Sequence, residues 1–555
     1  MCAAAVSDDA QTKPSEELAV FPTALTMTAR EERAVMVATR SGKVPARVEW
    51  TVSNPAIATI TPRGSMADIT ATSPGRALVT ARVDGRMASV SLTVADEPEL
   101  RYGTTRWAVA PIAGMVPRPL IEASRVDDDG PDLFQVDADQ MKRFAVVRAL
   151  KANGLMVWQA TIRGTPWAGD RFGGLLARLG PIDQPSRTLA RLDRPRSKVP
   201  SWRYKARGDI DDFAQSDDGT IFLTIQTHPR LNARNEDSQV VVLDGRSGLE
   251  VGHFSLPRST WQTSGTCVPK ASTVRRPSEF GALGEGTNGG VYAELLLTHD
   301  TWNRVCEKGR PVPGRGRFKV SRELQLVRMT RTGLTTVRTL WREDVDGVDS
   351  SDRLKAVEDV APGPVVELKS GELIVLRSHV NMDPGGRLAG RLEVARVARG
   401  DIVKEVVRPA VVRPGKPWRV LLDAPDTVRL YFADAATLQA IDLGSGGVVW
   451  TLDSPAMPFE AIETNSVAAN DAPRSQIVEV NYRGIVLRTF PARVDDARMV
   501  VSGQGVFHGV DPQTHAVIEV QQPGYIETGW SAMLDIDTGF EEVRRRFADF
   551  LIESR

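Results

Sequence analysis

The feature that most constrains the fold is a strand–turn–strand pattern that recurs between residues 100 and 530. One copy runs over 144–150, turns at Asn153-Gly154 and continues over 155–159, and another spans 438–450. Short apolar strands on either side of a Gly or Asn turn are typical of β-hairpins. Hairpins that cannot bury both faces alone must stack, and radial stacking leaves few exposed strand edges. The pattern therefore predicts an all-β chain with a β-propeller of about 6–8 blades over residues 100–535.

A different alternation over residues 18–96 predicts a separate β-sandwich. Val48, Trp50 and Val52 alternate with polar residues, as a strand with one buried face requires. Asn54-Pro55 then ends that strand, because proline cannot donate a ladder hydrogen bond. Several short strands separated by turns, in about eighty residues, favour an immunoglobulin-like sandwich.

This stretch resembles the bacterial Ig-like group 2 family. The resemblance rests on the tryptophan strand with Ser-Asn-Pro-Ala-Ile-Ala-Thr-Ile at 53–60, Pro-Gly-Arg-Ala at 74–77 and Ser-Val-Ser-Leu-Thr-Val at 89–94. One departure is the charged segment 30–33, where the family usually turns on a glycine. The resemblance implies an exported bacterial protein, in which the module spaces or adheres and catalyses nothing.

The region after the sandwich resembles quinoprotein-like propellers, which repeat a strand, a Gly-rich turn and Val-Val-Trp. Trp158 and Trp450 match the repeat tryptophan. Quinone-dependent enzymes of this fold usually hold the cofactor beneath adjacent, disulfide-linked cysteines. No two cysteines are adjacent in this chain, so we expect no quinone cofactor. We interpret the tryptophans as packing residues between blades.

The chain has three cysteines. Cys267 and Cys306 lie within the propeller region, and in an exported protein they could form a disulfide. Cys2 precedes a polar stretch that we interpret as a flexible tether over 1–17. An N-terminal cysteine of this kind carries lipid in bacterial lipoproteins, but no hydrophobic signal region precedes it. Lipidation at Cys2 and a chance cysteine near a disordered terminus therefore remain alternatives.

An acidic cluster offers the main candidate metal site. Asp344, Asp346, Asp349 and Asp352 surround one glycine in a predicted loop, and their oxygens are the hard ligands that calcium prefers. The alternative is a solvated charged loop that binds no metal. Weaker acidic sets occur at 127–132 and 209–218.

Two chain segments outside the main domains also carry predictions. Apolar residues at helical spacing over 540–552 predict a short C-terminal helix within 536–555, docked on the propeller. The acidic, proline-containing break at 96–99 predicts a linker, at which limited proteolysis would separate the sandwich from the propeller.

Composition and motifs narrow the function. The formal net charge is zero, which gives no electrostatic footprint for nucleic acid, and no apolar run has the length of a membrane helix. No nucleophile elbow, zinc-protease helix or phosphate-binding loop is present. We therefore expect a non-catalytic binding or assembly protein. The resemblance to the bacterial Ig-like family implies that it is exported, as a cell-surface protein, an outer-membrane lipoprotein or a secreted protein.

The expected ligand is a protein or a polysaccharide at the propeller mouth, and contact with a membrane is expected only through an N-terminal lipid. Two alternatives remain. One is a propeller enzyme that acts on extracellular polysaccharide, since paired carboxylates are recognised by their separation in space and not by sequence. The other is a structural subunit of an extracellular assembly.

Overall fold

The computed structural model describes residues between 17 and 536, and every regular element in them is a β-strand. Among the described residues there is accordingly no helix that could cross a membrane. The C-terminal helix predicted within 536–555 lies outside the described residues, apart from Ile536, which ends a strand. The segments outside the description are 1–16, 40–42, 97–104, 119, 124–129, 142, 183, 194–199, 228–236, 266–271, 278, 282, 349–358, 369, 383–387, 412–417, 425–428, 435–436, 453–456, 464–465, 472–475, 482–485, 491–499, 503–505, 511–516, 522–529 and 537–555.

A two-sheet sandwich occupies the N-terminal part of the chain. Its strands are β1 (Leu18–Phe21), β2 (Ala24–Thr28), β3 (Glu32–Thr39), β4 (Glu49–Val52), β5 (Ala58–Arg63), β6 (Met66–Ala71), β7 (Gly75–Val83) and β8 (Arg86–Ala95). One sheet has the order β1-β3-β6-β5, and the other side contains β4-β7-β8-β2. Alternate residues of β7, from Ala77 to Val83, are buried, so one face of each strand can contribute to a shared core.

Eight blades follow within the described residues, at the upper end of the predicted range and in agreement with the predicted β-propeller; the last described strand, Trp530–Ile536, adds a fifth strand to the sixth blade. The strands of the first three blades are β10 (Met115–Pro117), β11 (Ile121–Glu122), β12 (Leu133–Asp139), β13 (Ala145–Leu150), β14 (Met156–Ile162), β15 (Gly164–Gly169), β16 (Leu175–Leu179), β17 (Ser186–Leu192), β18 (Trp202–Gln215), β19 (Ile221–Thr227), β20 (Asp237–Leu243) and β21 (Glu250–Ser255). The long strand β18 serves two blades, because its first part pairs with β17 and its last part with β19.

Blades 4 and 5 have longer outer strands. They comprise β22 (Arg258–Gly265), β23 (Ser272–Pro277), β24 (Glu279–Phe280), β25 (Gly284–Glu285), β26 (Val291–Glu307), β27 (Arg310–Thr330), β28 (Gly333–Val348), β29 (Asp359–Ala361), β30 (Val365–Glu367), β31 (Leu373–Met382), β32 (Leu388–Ala398) and β33 (Asp401–Ala410). Strands β26, β27 and β28 extend beyond the blade, where β22 pairs with β26 in parallel.

Blades 6 to 8 complete the ring. Their strands are β34 (Trp418–Ala424), β35 (Arg429–Ala433), β36 (Leu438–Asp442), β37 (Val448–Leu452), β38 (Met457–Glu463), β39 (Ser466–Asp471), β40 (Gln476–Asn481), β41 (Val486–Phe490), β42 (Val500–Ser502), β43 (Val506–Val510), β44 (Val517–Gln521), β45 (Trp530–Ile536) and, from the N-terminal side of blade 1, β9 (Thr105–Val109). Strand β9 pairs with β44, so a strand from the start of the propeller completes its last blade.

The same strand joins the ring to the sandwich. The free edge of β9 pairs with β2 through Ala24 and Leu25, which makes one eight-stranded sheet from the sandwich and blade 8. Strand β9 is the last strand of its blade, and the sandwich continues the sheet beyond it. The first strand of a blade lies at the opposite edge, which we interpret as the inner edge; in blade 6, β45 pairs with β34 at that edge.

Side chains reinforce this junction. Arg106 on β9 forms an ion pair of 2.6 Å with Glu31 of the sandwich, and Trp107 belongs to the sandwich core. Gly154 has a positive φ of 81°, and a Cβ there would lie 2.8 Å from the Trp107 ring. Arg30 adopts the left-handed φ of 71°, so the backbone of the expected glycine turn is kept without glycine. The continuous sheet and shared core argue against a sandwich that separates at 96–99.

Apolar clusters between neighbouring blades form the rest of the core. Trp158 packs with Phe134 of its own blade, at 5.6 Å between ring centroids, and with Leu175 of blade 2. This position agrees with the predicted packing role of the repeat tryptophan. Trp450 is also buried, with its ring 6.0 Å from that of Tyr431.

Candidate functional site

A cluster of aromatic and charged side chains lies on the inner strands of blades 2 and 3. Trp167 of β15 and Phe213 of β18 meet edge to face, with ring centroids 4.4 Å apart. Both strands carry a β-bulge here, between Pro166 and Ala168 and between Ile210 and Asp212. A bulge leaves an extra residue outside the ladder and turns side chains from their regular directions. The two irregularities thus bring together side chains from separate blades.

Arg178 of β16 is the cationic member of this cluster. Its guanidinium carbon lies 4.4 Å from the centroid of the Trp167 ring. Its Nε is fully buried and has no hydrogen-bond partner, whereas its two terminal nitrogens are not fully buried without a partner. It forms no ion pair with an acid among the described residues, although the charge of Asp212 acts on it. The aromatic face therefore holds the guanidinium in place and leaves its terminal N–H groups for another acceptor.

Acidic residues flank the cluster on β18. The carboxylate of Asp212 accepts backbone hydrogen bonds from Phe213 at 2.8 Å and from Leu283 at 3.3 Å. Burial raises the pKa of Asp212, and the nearby Asp211 charge adds to the increase, while the two N–H groups and Arg178 oppose it. Asp211 is exposed beside it. These residues belong to the acidic set at 209–218, which sequence analysis had interpreted only as a weak metal site.

The rest of that acidic set connects blades 3 and 4. Asp217 accepts hydrogen bonds from the backbone N–H groups of Asn288 and Gly289 at 3.0 and 3.1 Å. Asp218 pairs with Arg331 at 3.0 Å. These residues line a groove of about 490 Å³ between the turns of the two blades. Within the described part of the chain no three His, Cys, Asp or Glu side chains come together as a metal site.

A second charged group lies on blade 5, with Arg377 and Glu393 buried and Glu405 exposed. Arg377 of β31 donates to Glu393 of β32 at 2.5 Å and to Glu405 of β33 at 2.7 Å. Glu393 also contacts the imidazole Nε2 of His379. Burial raises the pKa of Glu393, but hydrogen bonds from His379 and Arg377 outweigh burial and hold the pKa below its usual range.

Glu294 of β26 faces this group from blade 4 and is fully buried. One carboxyl oxygen accepts the N–H of Gly363 at 2.7 Å, and the other has no hydrogen-bond partner. Burial raises the pKa of Glu294 to about 8, although the Arg377 charge and the Gly363 hydrogen bond lower it. The acid is therefore neutral near pH 7, and its role is in packing between the blades.

The predicted calcium site is only partly within the described residues. Asp344 and Asp346 lie on strand β28, not in a loop, and their Cα partners on β27 are Ser321 and Lys319. The loop prediction was wrong here because Val345 alternates with the charged residues, which is a strand pattern. Asp344 also pairs with Arg342 at 3.1 Å. Asp349 and Asp352 lie outside the described residues, so calcium binding stays a prediction.

The cysteine predictions are also only partly covered. Cys306 lies on β26 and is disulfide-bonded. Its predicted partner Cys267 lies outside the described residues, as does Cys2. The Cys267–Cys306 pairing and the lipidation of Cys2 therefore stay predictions.

Comparison with known proteins assigns neither a family nor a function to the chain. No family model matches the chain, and no curated protein matches it. Similar solved structures include the dihydro-heme d1 dehydrogenase NirN in complex with DHE, at 13% identity and a TM-score of 0.35 over 78% of this chain and 83% of that one.

Two further solved structures are similar to this chain at comparably low scores. A streptogramin B lyase shares 10% identity at a TM-score of 0.31, over 75% of this chain and 97% of that one. A quinoprotein alcohol dehydrogenase-like protein from Bacteroides thetaiotaomicron shares 9% identity at a TM-score of 0.27, over 91% and 97%. The neighbours thus include quinoprotein-like and other β-propeller proteins, and at these identities they carry no argument about ligands or chemistry.

Proposed function

We propose that the chain is a non-catalytic binding or assembly protein of the bacterial cell surface, in which the propeller is the binding platform. The observation that carries this proposal is the contrast among its charged side chains. Asp217, Asp218 and Glu393 hold turns and blades together. Arg178 on β16 lies over the Trp167 ring and forms no ion pair with a described residue, although the charge of Asp212 acts on it. A half-buried cation held by an aromatic ring is suited to binding an anionic group.

The sandwich supports a surface role as a rigid spacer. Its sheet continues into blade 8 through β2 and β9, so the platform is fixed in orientation relative to the sandwich. The resemblance to the bacterial Ig-like group 2 family favours export. The disulfide at Cys306 is further support, because disulfides persist in oxidising compartments.

One observation favours an enzyme that acts on extracellular polysaccharide. Asp212 has a raised pKa and lies beside Arg178 on the inner wall, as a general acid in a glycosidase would. Against this, both carboxyl oxygens of Asp212 already accept backbone N–H groups. We therefore retain catalysis as the second candidate, with Asp212→Asn as the variant that would abolish it.

The proposal is tested with full-length protein on a sensor surface and a panel of purified extracellular polysaccharides, acidic and neutral, together with purified cell-envelope proteins. We expect saturable binding of at least one panel member, weakened by Phe213→Ala. The matched control is Phe172→Ala, which removes a ring contacted by Arg246 at 4.3 Å outside the cluster. The absence of saturable binding across the panel, or equal losses in both variants, would contradict a platform centred on this wall.

A further inference from the structure

We propose that the cluster of Trp167, Arg178 and Phe213 binds a carboxylated sugar unit of an acidic polysaccharide. This inference rests on the proposed binding function and specifies its ligand class. The recognition element is the Arg178 guanidinium, which lies over the Trp167 ring and forms no ion pair with a described residue, although the charge of Asp212 acts on it from a greater distance.

The geometry around Arg178 suits a carboxylate. Stacking on Trp167 fixes the guanidinium plane, and the buried Nε prevents approach to that side. The terminal nitrogens remain as a fork of N–H donors, which matches the two oxygens of a carboxylate. Trp167 is thus a positioning residue, and Arg178 makes the contact.

Acidic residues flank the cluster and can accept hydrogen bonds from a sugar. Asp211 is exposed on the strand that carries Phe213, and Asp209 is half-buried and paired with Arg187 at 3.0 Å. Carboxylates accept hydrogen bonds from hydroxyls. A uronic acid unit has several hydroxyls beside its carboxylate, so its groups match one arginine flanked by aspartates.

The aromatic residues supply an apolar surface beside these polar groups. Trp167 and Phe213 pack against the core between blades 2 and 3 and are half-buried, so each ring keeps part of its surface outside that core. A sugar ring has apolar C–H faces, and covering exposed aromatic surface favours association. Sites with a few convergent polar groups on an apolar wall are typical of small-ligand recognition.

The test uses galacturonate hexasaccharide as the probe and its methyl ester as the uncharged match. In titration calorimetry we expect the acid to bind wild type and the ester to bind at least about tenfold more weakly. Arg178→Ala loses about tenfold or more in affinity for the acid. Arg178→Lys recovers only part of the loss, because lysine keeps the charge but lacks the planar fork.

The matched control is Arg246→Ala, since Arg246 also stacks on an aromatic ring but lies outside the cluster. It should change affinity by less than about twofold, and all variants should keep the wild-type melting temperature. Equal binding of acid and ester, or equal losses in Arg178→Ala and Arg246→Ala, would overturn the inference.

Other outcomes separate this inference from the broader proposal. Binding of a hexaglutamate peptide as tight as that of the hexasaccharide would overturn the sugar assignment. If a neutral polysaccharide binds wild type and galacturonate does not, the uronate inference fails while the binding platform stands. If neither these probes nor any member of the earlier panel binds, the proposed function fails as well.

Discussion

The buried acid between blades 4 and 5 gives a sharp prediction about stability and pH. Glu294 is fully buried, and its pKa of about 8 lies well above the usual glutamate value of 4.5. Between these values the folded protein retains a proton that the unfolded chain releases. The free energy of unfolding therefore falls as pH rises from about 4.5 to about 8, by roughly 1.4 kcal/mol per pH unit for this group.

Replacing Glu294 by glutamine removes that dependence, because the amide stays neutral at every pH. The amide oxygen can still accept the hydrogen bond of Gly363. Wild type and Glu294→Gln should have similar stability near pH 5, and the variant should be more stable by about 4 kcal/mol near pH 8. The difference arises because Arg377 is already paired with Glu393 and Glu405, and it compensates the buried carboxylate only in part.

The assay is urea denaturation of both proteins at several pH values between about 5 and 9. The matched control is Glu323→Gln on strand β27. Hydrogen bonds from Gln325 and Thr339, each 2.8 Å, lower the pKa of Glu323. The Glu323→Gln variant should therefore be less stable than wild type above about pH 4.5, and it should not become more stable than wild type near pH 8. Parallel pH profiles for wild type and Glu294→Gln would refute the argument.

Three further predictions concern the framework. Cleavage within 97–104 should leave two fragments that co-elute in gel filtration, because the strand with Trp107 pairs with the sandwich; separate elution would contradict this. Arg148→Ala should cost about 3–5 kcal/mol of unfolding free energy by leaving buried Asp137 unpaired, whereas Arg148→Met with Asp137→Leu should recover most of it. Non-reducing peptide mapping should yield a Cys267–Cys306 crosslink, and its loss should cost about 3–4 kcal/mol; free thiols at both positions would contradict it.

Local patterns predicted the β-architecture well. The alternation around Trp50 marks strand β4, and the pattern at 144–159 marks the hairpin of β13 and β14. Side-chain alternation and turn residues act over a few positions, so they can be recognised in one sequence. The same rule explains why the loop predicted at Asp344 was wrong: Val345 alternates with the charged residues on either side, as in a strand.

Contacts between distant segments could not be predicted in this way. The pairing of β2 with β9 places the sandwich and the last blade in one sheet, although the break at 96–99 has linker composition. Trp167 meets Phe213 because two bulged strands lie in adjacent blades, and Arg178 lies over Trp167 from the neighbouring strand β16. The acidic residues at 209–218 can be recognised in the sequence. Their hydrogen-bond partners cannot, because several of these partners lie more than seventy residues away in the chain.

The most direct test of the central claim is to measure binding and turnover in the same sample. Full-length protein is titrated with galacturonate hexasaccharide, and the saccharide is then recovered after prolonged incubation and analysed for chain length and unsaturated ends. The account predicts stoichiometric binding that depends on Arg178, with the hexasaccharide recovered intact. Shortened or unsaturated products that disappear in Asp212→Asn would contradict it and identify the propeller as an enzyme.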